Sequence, residues 1–194
     1  PLVLVGHSMG ALVAALAASA RPEQVRALVL VEPALPYELP DAAAALTRGL
    51  QQRRQPPPDP LLPDLSAAIE RLLRAQPGLP EAFARELAGR ATRPVEGGLR
   101  WTRDPRLELR LGLGVAGPGR SAFLSLLSRL APPTTLLFAL DSSYTRPAER
   151  QVIVAALPQA RLLQREQGDH HLHLSAPSAV AAAILQAMEE PGHG

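Results

Sequence analysis

A serine near the start of the chain lies in a pentapeptide that is typical of nucleophilic catalysis. Gly6-His7-Ser8-Met9-Gly10 has the pattern Gly-x-Ser-x-Gly, with an apolar run before it and an alanine-rich segment after it. In such a turn between strand and helix, the serine Oγ projects above the sheet. We expect glycine at both flanking positions because a Cβ would collide there with crowded backbone. The motif predicts that Ser8 attacks an acyl carbonyl and that the N–H of Met9 stabilises the oxyanion.

A serine hydroxyl needs a base to take its proton, and the sequence offers three nearby histidines for that role. His170, His171 and His173 lie in one predicted loop after the last strand, whereas His193 lies in the tail. We favour His170 because it opens the loop. His171 is the second choice, and His173 is expected to pack. The side chain of His7 is expected to point away from the reaction, into packing or a local hydrogen bond.

Two carboxylates could orient the histidine, and each directly follows a predicted buried strand. Glu32 ends the strand at residues 25–31, and Asp141 ends the strand at residues 133–140. A side chain at the end of either strand can reach a neighbouring loop. Glu32 could instead pair with an arginine, and Asp141 could instead begin a turn. From the residues alone, both stay candidates for the third member of a catalytic triad.

Composition and spacing argue against other kinds of site. The 194 residues include no cysteine, which excludes disulfides and thiolate metal sites. Neighbouring His170 and His171 cannot both face one ion from a regular element, so we predict neither a metal nor another cofactor. The net charge is +2, and the tightest arginine group, at residues 48, 53 and 54, is typical of a solvated helix face rather than of a nucleic-acid site. No stretch is long enough to span a membrane.

Strands and helices alternate at both ends of the chain. The predicted strands cover residues 2–5, 25–31, 133–140 and 160–164, and the predicted helices cover residues 10–20, 147–157 and 177–188. A strand, a helix and a strand within such a short distance form a βαβ unit with parallel strands. The closing helix is expected to turn Val180, Ile184 and Met188 inward. The fold class is therefore predicted to be α/β, with a parallel sheet flanked by helices.

The middle of the chain differs in character because prolines break it into short segments. Asp64 can cap one amphipathic helix, a second carries Phe83 and Leu87, and a third carries Phe123 and Leu127. This pattern predicts a helical cap at residues 34–131, inserted into a core formed by residues 1–33 and 132–194. The cap would form an apolar pocket for a small hydrophobic ester or acyl substrate.

The chain begins directly with a predicted buried strand and has no initiator methionine. A parallel strand needs neighbours beside it and helices on both faces. We therefore expect the chain to be the C-terminal part of a longer protein.

The sequence resembles the serine hydrolase-like proteins of the α/β-hydrolase superfamily (the kraken-type branch). The resemblance covers the whole chain and rests on these stretches: Gly6-His7-Ser8-Met9-Gly10, Leu28-Val29-Leu30-Val31-Glu32, Val95-Glu96-Gly97-Gly98-Leu99 with Arg103-Asp104-Pro105-Arg106, residues 139–144, and Gly168-Asp169-His170-His171-Leu172-His173. The Gly-x-Ser-x-Gly turn between strand and helix, called the nucleophile elbow, is shared by many hydrolases. The cap stretch and the Gly-x-His-x-x-His loop narrow the resemblance to this group.

The resemblance implies Glu32 as the acid, in preference to Asp141, and His170 as the base. It also implies a cytoplasmic protein, with association to perinuclear vesicles or peroxisomes as an alternative. The loop that supplies a second oxyanion-hole N–H in the family would lie upstream of Pro1. We therefore predict a serine hydrolase acting through a Ser-acid-His triad. The alternative is a catalytically inactive fragment, or a non-catalytic binding protein that lacks the N-terminal half of the core.

Overall fold

The computed structural model describes residues 2–36, 60–104, 119–142 and 144–189. The chain divides into two compact units, of which the first comprises Pro1–Tyr37 and Pro118–Gly194 and the second Glu38–Gly117. The arginines at positions 48, 53 and 54 lie outside the described residues. The assignment of residues 34–131 as a cap stays a prediction.

A parallel sheet forms the centre of the first unit. Its strands are β1 (Leu2–His7), β2 (Val25–Val31), β5 (Thr134–Ala139) and β6 (Arg161–Arg165). They lie side by side in the order β1-β2-β5-β6, and each neighbouring pair is parallel. The helices of this unit are α1 (Met9–Ala20), α4 (Arg120–Leu127), α5 (Pro147–Ala156), α6 (Leu172–Ser175) and α7 (Pro177–Glu189). The predicted fold class, a parallel sheet flanked by helices, is confirmed.

Helices cover both faces of this sheet because successive side chains of a strand point to opposite sides. One face carries Leu28, Leu30, Leu136 and Phe138, and the other carries Ala27, Val29, Val31, Leu137 and Ala139. The alanine-rich α1 packs on the first face with α4 and α5, while α6 and α7 pack on the second. Small alanine side chains allow α1 to lie close to the strands. Burial on both sides explains why residues 27–31 of β2 and 136–139 of β5 are continuous apolar runs.

Helix α4, which lies within the segment predicted as a cap, buries Phe123 and Leu127 beside α1. In α7 the buried residues are Val180, Ala183 and Ala187, whereas Met188 is half exposed. The expectation that Met188 faces inward is wrong, because the alanine face of α7 allows the closest approach to the sheet.

Between residues 60 and 104, the described part of the second unit contains two helices and a hairpin. They are α2 (Leu65–Ala75), α3 (Glu81–Ala91), β3 (Thr92–Val95) and β4 (Gly98–Trp101), with β3 and β4 antiparallel. Asp64 caps α2 as predicted, since its Oδ1 accepts the N–H of Ala67 at 2.9 Å. Phe83 is exposed, and α3 instead buries Ala84 and Ala88. In the described part of the chain, no helix combines the length and the apolar character needed to cross a bilayer.

Candidate active site

Ser8 sits on a sharp turn between β1 and α1. Its backbone has φ 54° and ψ −121°, a conformation that L-residues rarely adopt. The turn is fixed on both sides, because the N–H of Ser8 donates to the carbonyl of Val31 at 3.0 Å and its own carbonyl accepts the N–H of Ala11 at 3.0 Å. Such strained, well-anchored backbone is characteristic of functional positions. The predicted nucleophile elbow is therefore present in geometry as well as in sequence.

The two glycines of the elbow have different roles. A Cβ on Gly6 would overlap the carbonyl oxygen of Gly10 and lie 2.6 Å from the Cα of Ala11. No such close approach exists at Gly10, where a Cβ would have nothing within 4 Å. The expectation of crowding is correct for Gly6 and wrong for Gly10, because the helix turns away from the strand at that point.

His170 lies in the loop after β6, at the same edge of the sheet as Ser8. The loop turns at Gly168, whose φ of 146° favours glycine. The side chain of Asp169 accepts the N–H of His171 at 2.8 Å and so holds the loop at the start of α6. This turn places the Nε2 of His170 2.9 Å from the Oγ of Ser8. His170 is thus the histidine that contacts the serine, as predicted.

Glu32 follows β2 directly and is completely buried. Its Oε1 accepts the N–H of Ala139 at 2.7 Å, and its Oε2 accepts the hydroxyls of Ser142 at 2.7 Å and Thr145 at 2.9 Å. The same Oε2 lies 3.4 Å from the Nδ1 of His170. Like Ser8, Glu32 has a positive φ, of 45°. The turned backbone folds the long glutamate side chain back towards the histidine.

Asp141, the alternative acid, has a different position. It lies on the loop after β5 and is exposed to solvent. The carboxylate in contact with His170 is that of Glu32. The structure therefore brings Ser8, His170 and Glu32 together and leaves Asp141 outside this group.

The environment of Glu32 favours its charged form. Burial alone would raise the pKa of the Glu32 carboxyl, but hydrogen bonds from His170 and from the donors Ala139, Ser142 and Thr145 outweigh burial and hold the pKa below its usual value. The carboxylate can therefore accept the Nδ1–H of neutral His170. With the proton on Nδ1, Nε2 is an acceptor for the hydroxyl of Ser8. This arrangement can remove the proton of Ser8 as its Oγ attacks a carbonyl.

Met9 provides the backbone donor expected next to the nucleophile. It is the first residue of α1, where backbone N–H groups have no acceptor within the helix. The positive end of the helix dipole lies at the same place. The N–H of Met9 is therefore suited to bind a developing oxyanion beside Ser8.

His7 has a structural partner that the sequence did not predict. Its Nε2–H donates to the backbone carbonyl of His170 at 2.7 Å, so the bond joins the elbow to the histidine loop instead of being local. The ring of His173 lies 4.6 Å and that of His171 5.3 Å from the His7 ring, between centroids. Burial, together with these neighbouring histidines, lowers the pKa of His7 from 6.5 to about 4, although its bond to His170 acts in the opposite direction. His7 is therefore a neutral donor that holds His170 in place.

We expect acidification to destabilise the protein partly through His7. The unfolded chain binds a proton at His7 below about pH 6.5, whereas the folded protein does not do so until about pH 4. The unfolded state therefore binds more protons in this window, and stability falls as the pH decreases. The pKa values of His171 and His173 are also lowered by burial, so they add to the same trend. Urea unfolding at pH 7 and pH 5 measures the loss.

The variant His7→Gln is the control for this prediction, because glutamine can donate a hydrogen bond but does not titrate near neutral pH. The loss of stability between pH 7 and pH 5 should be smaller in His7→Gln than in the unmodified protein. An equal loss in both would contradict the assignment of His7 as a buried neutral group.

Tyr144 is a further residue of the site that the sequence analysis did not identify as functional. Its ring stacks on His170 with 3.9 Å between centroids and 22° between planes. The tyrosine is half exposed, so its ring covers the imidazole on the solvent side. No motif signals this role, since only the fold places the loop after β5 over the loop after β6.

We expect the Tyr144 ring to restrict rotation of the His170 imidazole. Tyr144→Leu should lower kcat by about fivefold, because a stacked aromatic pair contributes on the order of 1 kcal/mol. Tyr144→Phe keeps the ring and should lose less activity than Tyr144→Leu. Steady-state kinetics of both variants measure the difference, and equal losses would show that stacking is not the cause.

Among the described residues, no group of three histidine, cysteine, aspartate or glutamate side chains is arranged to hold a metal ion. Among the described residues of the first unit, four histidines (7, 170, 171 and 173) form a cluster of neighbouring rings, and the Nε2–H of His7 donates to a backbone carbonyl.

The chain is similar to known proteins of one family. Residues 1–177 match the family described as the alpha/beta hydrolase fold. A serine hydrolase-like protein of Danio rerio is 30% identical over 96% of the chain, which confirms the resemblance stated from sequence. The chain spans 60% of the length of that relative.

Solved structures show the same architecture. The thioesterase domain from the curacin biosynthetic pathway is 40% identical, with a TM-score of 0.87 over 95% of this chain and 66% of that one. A hypothetical protein from Pseudomonas aeruginosa PAO1 is 30% identical, with a TM-score of 0.77 over 96% of this chain and 66% of that one.

Proposed function

Because the chain belongs to the α/β-hydrolase family, we propose that it is a serine hydrolase that cleaves an ester or thioester bond of an acyl substrate. The observation that carries this proposal is the line of contacts from the Oγ of Ser8 through the ring of His170 to the carboxylate of Glu32. The three groups occur in the chain order serine, acid, histidine, which is the order of this fold family.

In the proposed reaction, the Oγ of Ser8 attacks the acyl carbonyl while Nε2 of His170 takes its proton. The carbonyl oxygen becomes an oxyanion, which the N–H of Met9 binds. Glu32 stabilises the imidazolium through Nδ1–H and stays ionised. The proton on Nε2 then passes to the leaving alcohol or thiol as its bond to the acyl carbon breaks.

Hydrolysis of the acyl-enzyme repeats these steps with water. His170 takes a proton from the water as its oxygen attacks the acyl carbon, and the ester bond to Ser8 breaks. The proton on His170 returns to the Oγ of Ser8, and the carboxylic acid leaves. No group besides water is consumed.

The comparison with the curacin thioesterase domain favours a thioester as one of the substrates. At 40% identity, the similarity to this thioesterase domain is greater than a shared fold alone requires. A thiolate leaves more readily than an alkoxide, so the same residues can act on both kinds of acyl compound.

Hydrolysis of matched substrates tests this proposal. An acyl p-nitrophenyl ester and the thioester of the same acyl group are offered to the purified protein, with Ser8→Ala as the blank. Turnover of at least one substrate above the blank is expected. Equal rates for the protein and for Ser8→Ala would refute hydrolysis through this serine.

A further inference from the structure

A buried arginine lies beneath the loop that holds Glu32. We refer to the last residue of β5 and the described residues that follow it, 139–142 with 144 and 145, as the acid loop. Arg150 belongs to α5 and is only 7% exposed. Among the described residues, its Nε has no hydrogen-bond partner, and no carboxylate contacts its side chain. Burying a charge without a carboxylate partner costs free energy, so the other contacts of Arg150 must offset this cost.

The guanidinium of Arg150 ties together the two ends of the acid loop. Its Nη2 donates to the carbonyl of Ala139 at 2.9 Å and to the carbonyl of Thr145 at 3.2 Å. The carbonyl of Leu140 lies 3.4 Å from the same nitrogen. The guanidinium also lies 5.5 Å from the centroid of the ring of Phe138, the second-last residue of β5. One cation therefore closes the loop from inside the core.

Two of the residues that Arg150 binds, Ala139 and Thr145, also bind Glu32. Ala139 gives its N–H to Glu32 and its carbonyl to Arg150. Thr145 gives its hydroxyl to Glu32 and its carbonyl to Arg150. A shift of the loop on loss of the arginine would move both donors away from the carboxylate.

We propose that Arg150 is a positioning residue that fixes the carboxylate of Glu32 by closing the acid loop. The consequence for catalysis rests on the proposed serine hydrolase function. The loop also carries Ser142, the third donor to Glu32, and Tyr144, which stacks on His170. Arg150 therefore holds Glu32 in place through Ala139 and Thr145, and it stabilises the loop whose Tyr144 stacks on His170.

The first test follows the protonation of Glu32, which does not require any activity. The protein is labelled with ¹³C at glutamate carboxyls, and Glu32→Gln identifies the resonance of Glu32. Donors from the acid loop help to hold the pKa of Glu32 low against the effect of burial. In Arg150→Met, Glu32 should therefore protonate at a higher pH than in the unmodified protein. Arg150→Lys keeps a cation with donors and should lie between the two.

Arg146→Met is the matched control, because Arg146 precedes the same helix but is exposed and contacts Glu149 at 3.6 Å. It should leave the titration of Glu32 unchanged. A Glu32 titration in Arg150→Met equal to that of the folded unmodified protein would overturn the proposal. If Arg150→Met does not fold, Arg150→Lys is measured in its place. A Glu32 titration in Arg150→Lys equal to that of the unmodified protein would then overturn the proposal.

The second test measures the effect on the nucleophile. Arg150→Met should slow the reaction of Ser8 with a fluorophosphonate by about tenfold to a hundredfold, because small misplacements of catalytic groups have effects of this size. In the Glu32→Gln background, the same substitution should have little further effect. A full additional loss there would show that Arg150 does not act through Glu32. An unmodified protein that does not react at Ser8 would refute the proposed hydrolase, while the titration would still decide the role of Arg150.

Discussion

Replacement of His170 by alanine is expected to lower kcat by about a millionfold, which is the size of effect seen when the base of a serine triad is removed. The reason is geometric, since the Nε2 of His170 lies 2.9 Å from the Oγ of Ser8, a distance at which it could accept the proton in the proposed reaction. Without this acceptor, the hydroxyl of Ser8 stays protonated and is a poor nucleophile. Steady-state hydrolysis of an activated ester measures the loss.

His171→Ala is the matched control for this prediction. His171 is the next residue in the same loop, and its ring lies 5.1 Å from that of His170. It was the second choice for the base from sequence, but the structure places no hydrogen bond between it and Ser8. We expect His171→Ala to change kcat by less than about tenfold. A larger loss in His171→Ala than in His170→Ala would show that the base is His171 and not His170.

Replacement of Glu32 by glutamine is expected to lower kcat by about ten-thousandfold, because an amide can hold the imidazole in the wrong tautomer and does not stabilise the imidazolium. Glutamine has nearly the same volume, so the buried site is kept filled. It can still accept hydrogen bonds from the acid loop through its single carbonyl oxygen. Thermal unfolding of the variant separates a loss of activity from a loss of structure.

Asp141→Asn distinguishes the two acids that the sequence left open. Asp141 is exposed and lies outside the group formed by Ser8, His170 and Glu32. We expect the asparagine variant to keep kcat within a few-fold of the original value. If Asp141→Asn were the more damaging substitution, Glu32 would not be the acid of the triad.

The parts of the site that depend on local sequence could be predicted, because each has a local physical cause. The elbow around Ser8 needs a glycine where backbones meet, and the apolar run of β2 needs burial on both faces. Because the strands are parallel, the carboxyl ends of β1, β2 and β6 lie at one edge of the sheet. Ser8, Glu32 and His170 each follow one of these strands in the chain.

The remaining features depend on contacts between distant segments, which periodicity does not report. Glu32 and Asp141 both follow buried strands, and only the positive φ of Glu32 and the donors of the acid loop separate them. Tyr144 and Arg150 have no motif of their own. Their roles arise because the acid loop passes over His170 on one side and over α5 on the other.

The most direct measurement of the central claim is covalent labelling by a fluorophosphonate, followed by mass spectrometry of the peptides. We expect that one residue, Ser8, carries the phosphonyl group, that Ser8→Ala carries none, and that His170→Ala reacts far more slowly. Labelling of a different residue, or none in the folded protein, would contradict the proposal that Ser8 is an activated nucleophile.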